Sequence, residues 1–116
     1  MVRGPGPTSE EVGRLIPKLT KPLVIRPEAE IDIADAALWY EGERQGLGVD
    51  FVNEVERVLG RIVENPLIFS EVDRNLRRAL LRRFPYGIYF ALEESQTTIL
   101  SVLHFRRDPT TWEKRR

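Results

Sequence analysis

From Leu76 onward the apolar residues of this 116-residue chain recur at every second position, whereas from Ile31 to Ile62 they recur at every third or fourth. A period near 3.6 belongs to helices and a period of two to half-buried strands. The change follows Asn65-Pro66, where proline disfavours helix in the residue before it. Helices therefore precede strands, and the fold class is α+β: a helical pair packed on one face of a sheet.

Leu23-Val24-Ile25 reads as a short first strand. Pro27 suits the first turn of a helix, and Glu28, Glu30 and Asp32 suit the positive end of its dipole. This helix is expected to run to about Gln45. Ile31, Ala34 and Leu38 mark one apolar stripe; Ile33, Ala36, Ala37 and Tyr40 widen it. Gly46 is a candidate C-terminal cap. The second helix spans about Gly48 to Glu64, with Val52, Val55, Leu59 and Ile62 as its stripe. Only a few residues separate the two, so they should form an antiparallel hairpin.

A loop is expected around Ser70 to Asn75. Three strands follow, over about 76–84, 86–92 and 97–105, with the turn Glu93 to Gln96 joining the last two. Asp108-Pro109 opens a final turn or short helix containing Trp112. The order is β-α-α-β-β-β, closed by that last element. Residues 22–116 make one domain of ordinary size. Residues 1–21, with Gly4, Pro5, Gly6 and Pro7, look like an extension that holds at most a short helix.

The charge balance is even overall but uneven along the chain. Residues 27–73 carry 12 acids and 3 bases; residues 74–116 carry 10 bases and 4 acids. Nine of those ten bases are arginine, whose planar fork of donors fits carboxylates and phosphates. Arg82-Arg83 precedes one strand and Arg106-Arg107 follows the next. In a hairpin these ends are neighbours, so four guanidinium groups and His104 should gather at one edge of the sheet. Arg78 joins them as a candidate contact residue. The competing reading is arginines solvated or paired with the helix acids.

The chain has no cysteine, which excludes disulfides, thiolate metal sites and a cysteine nucleophile. No apolar run is long enough to span a bilayer, and no membrane partner is expected. Neither a phosphate-cradling glycine loop nor a metal-ligand spacing is present, so no cofactor or metal is expected. The expected location is the cytoplasm. His104 lies beside Arg106 and Arg107, whose charges should lower its pKa. It is either a neutral base or a structural hydrogen-bonding group. Trp39, Tyr40 and Trp112 read as packing aromatics. Tyr86 and Tyr89 fall on opposite strand faces, which places at least one of them to reach the exterior.

Residues Arg83-Phe84-Pro85-Tyr86-Gly87-Ile88-Tyr89-Phe90, followed by Val102-Leu103-His104-Phe105-Arg106-Arg107-Asp108-Pro109, resemble the ParE branch of the RelE/ParE toxin superfamily. Pro27-Glu28-Ala29 and Gly46-Leu47-Gly48-Val49-Asp50-Phe51 agree with it in kind, and the resemblance covers about residues 22 to 113. It implies a bacterial toxin of a type II toxin–antitoxin module, neutralised by a cognate antitoxin. It implies one of two actions: binding of DNA gyrase without chemistry, or cleavage of messenger RNA on the ribosome. The nuclease candidates are Arg82, His104 and Arg106. By alignment with the nucleases, however, Phe105 takes the place of a catalytic arginine or histidine, and Thr111 falls near the place of a later tyrosine. Those departures favour a non-enzymatic gyrase-binding toxin, with Arg78, Arg82, Arg83, Arg106 and Arg107 as contacts for target or antitoxin. A homologue that binds an antitoxin without being toxic is the third alternative.

Overall fold

A computed structural model describes residues 21–108 and 111–115. The expected short helix before residue 20 lies outside the described residues, as does Pro109. Nine elements follow in order: β1 (Leu23–Ile25), α1 (Pro27–Glu43), α2 (Leu47–Glu64), a 3-10 turn (Pro66–Ile68), β2 (Ser70–Asp73), β3 (Leu76–Leu80), β4 (Tyr86–Leu92), β5 (Thr97–His104) and α3 (Thr111–Arg115). The sheet order is β1-β5-β4-β3-β2. The β2-β3-β4-β5 run is an antiparallel meander, and β1 joins it parallel to β5.

Helices α1 and α2 cover one face of this sheet. The core between them joins Ala29, Ala36 and Tyr40 of α1 to Phe51, Val55, Val58 and Ile62 of α2. From below come Ala79, Ile88, Phe90, Ile99 and Val102. The hairpin turn is tight for two reasons. Gly46 adopts φ 89°, a left-handed conformation open to glycine. At Gly48 a Cβ would sit 2.6 Å from the carbonyl oxygen of Ala37, so only hydrogen lets the helices meet there. The Glu41 carboxylate then accepts the amides of Gly46 and Gly48, two donors that the start of α2 would otherwise leave unpaired.

Four expectations need correction. The segment 70–73, expected as loop, is an edge strand. Glu71 and Asp73 deprive it of an apolar pattern, yet its backbone pairs with β3 across a turn in which Asn75 is left-handed at φ 57°. The strand expected over 76–84 stops at Leu80, and residues 81–85 are a loop whose Pro85 cannot donate to a ladder. The inner stripe of α1 is Ala29, Ile33, Ala36 and Tyr40, whereas Ile31 and Leu38 lie exposed. Apolar residues occur on both sides of this helix, so spacing alone could not choose the face. Finally, Tyr86 and Tyr89 do take opposite faces, but both are buried. Tyr86 is held under the helices, and Tyr89 stacks on Trp112 of α3 at 5.9 Å.

The strand β5 contains a bulge. Tyr89 pairs with Ser101 and Phe90 with Ile99, so Leu100 is an extra residue with no counterpart on β4. An inserted residue reverses the facing of everything beyond it. Simple alternation from Ile99 would turn Phe105 toward the helices. Instead Val102 faces the core, and His104 pairs with Tyr86 on the helix side.

Candidate functional site

The loop at 81–85 and the turn after β5 leave the same end of the two strands. The Phe105 amide donates to the Pro85 carbonyl at 3.1 Å, and Leu81 donates to Tyr86 at 2.9 Å. Arg82, Arg83, Arg106 and Arg107 therefore share one end of the sheet. They do not lie along an edge, since β4 and β5 are interior strands and β1 and β2 are the edges. Arg78 stands apart: it lies within β3, opposite Tyr89, on the face away from α1 and α2.

Buried aromatics anchor this end. Tyr40, Phe51, Phe84 and Tyr86 pack with centroid separations of 4.7 to 6.0 Å, and the His104 ring continues the group 5.3 Å from Tyr86. Edge-to-face contacts at these distances add directional preference to the area buried. A second anchor is Glu54, an acid only 7% exposed on the inner face of α2. Its carboxylate accepts the backbone amides of both Arg82 and Arg83. The loop that carries the first arginine pair is thus pinned to α2.

The four guanidinium groups have different surroundings. Arg83 lies over the Phe84 ring and reaches Asp50 at 3.5 Å, an exposed pair of small energetic weight. Arg107 donates to the Tyr86 hydroxyl at 3.1 Å and lies 5.4 Å above the Trp39 ring. Trp39, expected as a packing residue, is 51% exposed and serves instead as a platform for that cation. The side chains of Arg82 and Arg106 form no ion pair or hydrogen bond among the described residues. They are the two cations most available to a partner.

His104 has a defined duty. Its Nδ1 accepts the amides of Arg106 and Arg107, each at 3.1 Å, while its carbonyl accepts the amide of Asp108. The ring thereby folds the turn that presents the second arginine pair. Burial lowers its pKa; Arg107 and Arg106 act in the same sense against Asp108. The neutral ring that results carries its proton on Nε2, because Nδ1 is an acceptor. Burial likewise raises the pKa of the Tyr86 hydroxyl, and Arg107 opposes the rise only in part.

This predicts a pH dependence of stability. In the unfolded chain a histidine titrates near pH 6.5, and in the folded protein below that. The contribution of His104 is complete above the unfolded value and is lost as the pH falls through the folded one. Urea midpoints should therefore decline below about pH 6.5. The decline should be shallower in His104→Asn, whose Oδ1 can accept the same amides without titrating. Parallel profiles for the two proteins would contradict this assignment.

Beside the arginine end lies a groove of about 390 Å³ between α1, β5 and α3. Its walls include Asp32, Trp39, Tyr86, Arg107, Asp108 and Arg115. Both carboxylates and guanidinium groups line it, so this end is mixed in charge where the sequence suggested a purely basic one. Asp32 is the key wall residue. It accepts the Val102 amide at 2.9 Å, next to the bulge, and also binds Arg115. That hydrogen bond raises the pKa of Arg115 further.

Sequence reasoning read Asp32 only as a dipole charge and did not single out Glu54. A signal for Glu54 was present: it falls between Phe51 and Val58 at the spacing of the apolar stripe. An acid there needs a buried partner. Among the described residues no group of three or more histidines and carboxylates could hold a metal. No helix there is long and apolar enough to cross a membrane.

A comparison with curated protein sequences returns no match. Among solved structures, the chromosomal ParDE TA system from P. aeruginosa is similar with a TM-score of 0.65. Identity is 14%, and the match covers 72% of this chain and 95% of that one. That likeness speaks for the fold: helices on a five-stranded mixed sheet. The sequence profile of the ParE toxin of the type II toxin–antitoxin system parDE matches residues 23–109, which span the sheet, both long helices and both arginine pairs, and the chain belongs to that ParE toxin family.

Proposed function

We propose that this protein is a cytoplasmic toxin that acts by binding, that its target is DNA gyrase, and that a cognate antitoxin neutralises it. The observation that carries this reading is the commitment of His104. A ribonuclease of the superfamily's other branch needs a group free to move a proton at the ribose 2′-hydroxyl. Here Nδ1 already accepts two backbone amides, and the neutral ring offers only a donor. The Tyr86 hydroxyl is buried and held by Arg107, with its pKa raised. Among the described residues, the side chains of Arg82 and Arg106, on loops fixed by Glu54 and His104, have no ion-pair or hydrogen-bond partner. Rigid, unpaired arginines suit the gripping of carboxylates on a protein partner.

A second reading keeps one observation in its favour. The bulge at Leu100 sets His104 on the same face as Tyr86 and beside Arg107, a combination a ribonuclease could use. Supercoiling by purified gyrase distinguishes the two. Micromolar protein should inhibit it, and the double replacement Arg82→Ala with Arg106→Ala should weaken inhibition by at least about tenfold, on the scale of interface arginines. Primer extension on ribosome-bound messenger should show no new cleavage. Full supercoiling together with specific cleavage would reverse the assignment.

A further inference from the structure

The sheet has a second face, turned away from α1 and α2, and it too is buried. Ala79, Ile88, Phe90 and Ile99 belong to the core under the helices. Successive side chains of a strand alternate, so the residues between them point the other way. On that far side Tyr89 pairs with Ser101, Ala91 with Thr98, and Leu76 with Ala91. Leu76, Tyr89, Thr98 and Ser101 are all 3% exposed or less.

Little among the described residues accounts for that burial. Trp112 of α3 stacks on Tyr89. One indole covers one residue's breadth of the face, and Leu76 stands on the next strand. The centre is closed while the rim is open: Leu80, on the same side of β3, is 47% exposed. A narrow cover over the middle of the face would give this pattern, and a sheet needs such a second layer to bury its apolar side.

The chain itself supplies a candidate. Residues 1–20 lie outside the described residues, and the chain enters the fold at one end of this face. There Lys21 donates through Nζ to the Glu93 carbonyl at 2.6 Å, and the Pro22 carbonyl accepts the amide of Thr97 at 2.9 Å. In the preceding sequence Val12, Leu15 and Ile16 have the spacing of one side of a helical turn, ahead of Pro17, and Leu19 follows. A segment tethered at this point is held at an effective concentration on the order of mM, an advantage that a second copy of the chain lacks.

We infer that residues 1–20 fold back over the far face of the sheet, with Leu15 and Ile16 set against it, and close that face to partners. The segment is then the second layer of the domain, and the arginine end is left open.

Because the chain lacks cysteine, paired cysteines in the full-length protein report where the segment lies. A short bifunctional maleimide should join Leu15→Cys to Leu80→Cys, on the rim of the far face, within one monomer. It should not join Leu15→Cys to Leu38→Cys, which is exposed on the helix side. The double replacement Leu15→Glu with Ile16→Glu should uncover the face, so that binding of an apolar dye rises severalfold. The melting temperature should fall by at least about 4 °C. Arg14→Glu, off the apolar stripe, should change neither. Should the double variant fail to fold, the two cysteine pairs alone decide. Crosslinks formed only between molecules would make a second copy the occupant and overturn the inference. Equal crosslinking to both sites, or dye binding and melting unmoved by the double replacement, would overturn it as well.

Discussion

Glu54→Ala should lower stability by about 3 kcal/mol, seen as a fall in melting temperature of about 12 °C for a domain of this size. The carboxylate is buried and accepts two backbone amides from the loop at 81–85. Hydrogen bonds to a charged acceptor are worth more than neutral ones, and removal leaves both donors without a partner. Glu54→Gln retains an acceptor oxygen and should lose about half as much. Function should follow stability only in part. At temperatures where the variant stays folded, the loop bearing Arg82 and Arg83 is no longer pinned, and affinity for the antitoxin should drop about tenfold. A melting temperature within about 2 °C of the parent would show that Glu54 does not anchor this loop.

Asp32→Ala should have an effect of similar size, about 3 kcal/mol, through a different part of the molecule. One carboxylate oxygen serves both the Val102 amide and the Arg115 guanidinium. Without it, a strand amide next to the bulge loses its acceptor and α3 loses its tie to α1. Arg115→Ala divides the two contributions. That guanidinium is partly exposed, so its loss should amount to about 1 kcal/mol. The remainder belongs to the strand. Hydrogen exchange reads it directly: the Val102 amide should exchange faster in Asp32→Ala and remain protected in Arg115→Ala. Unchanged protection at Val102 in both variants would refute the role given to Asp32.

Much of the architecture was legible because the hydropathy period changes once, near Asn65-Pro66, and because Pro27 and Pro66 mark helix boundaries; Gly46, expected to cap the end of α1, instead caps the start of α2, and Arg44 follows the last turn of α1. The less legible parts share a physical cause. Strand β2 has charged residues at Glu71 and Asp73 and is held by backbone pairing, which a side-chain pattern does not encode. The facing of His104 depends on the bulge at Leu100, and no glycine or proline marks that position. At the site, the gathering of Arg82, Arg83, Arg106 and Arg107 followed from strand order. Their individual surroundings did not, because Glu54, 28 residues before Arg82, and Trp39, under Arg107, reach them from the two helices, while Asp32 holds Val102 and Arg115 beside them.

Strand β1 carries a consequence for how the chain reaches this state. It is the first described strand to leave the ribosome, yet among the described strands its neighbour in the sheet is β5, with Leu23 beside Thr97 and Ile25 beside Ile99. Every other neighbouring pair in the sheet joins strands consecutive in the chain. The meander and the helical hairpin can form from local contacts as they emerge, but β1 must wait until nearly the whole domain has been synthesised. Until then Leu23, Val24 and Ile25 are a free apolar end and the flank of β5 has no strand beside it. The sheet is thus closed by its first described strand, and until then the apolar residues of β1 and the flank of β5 stay uncovered.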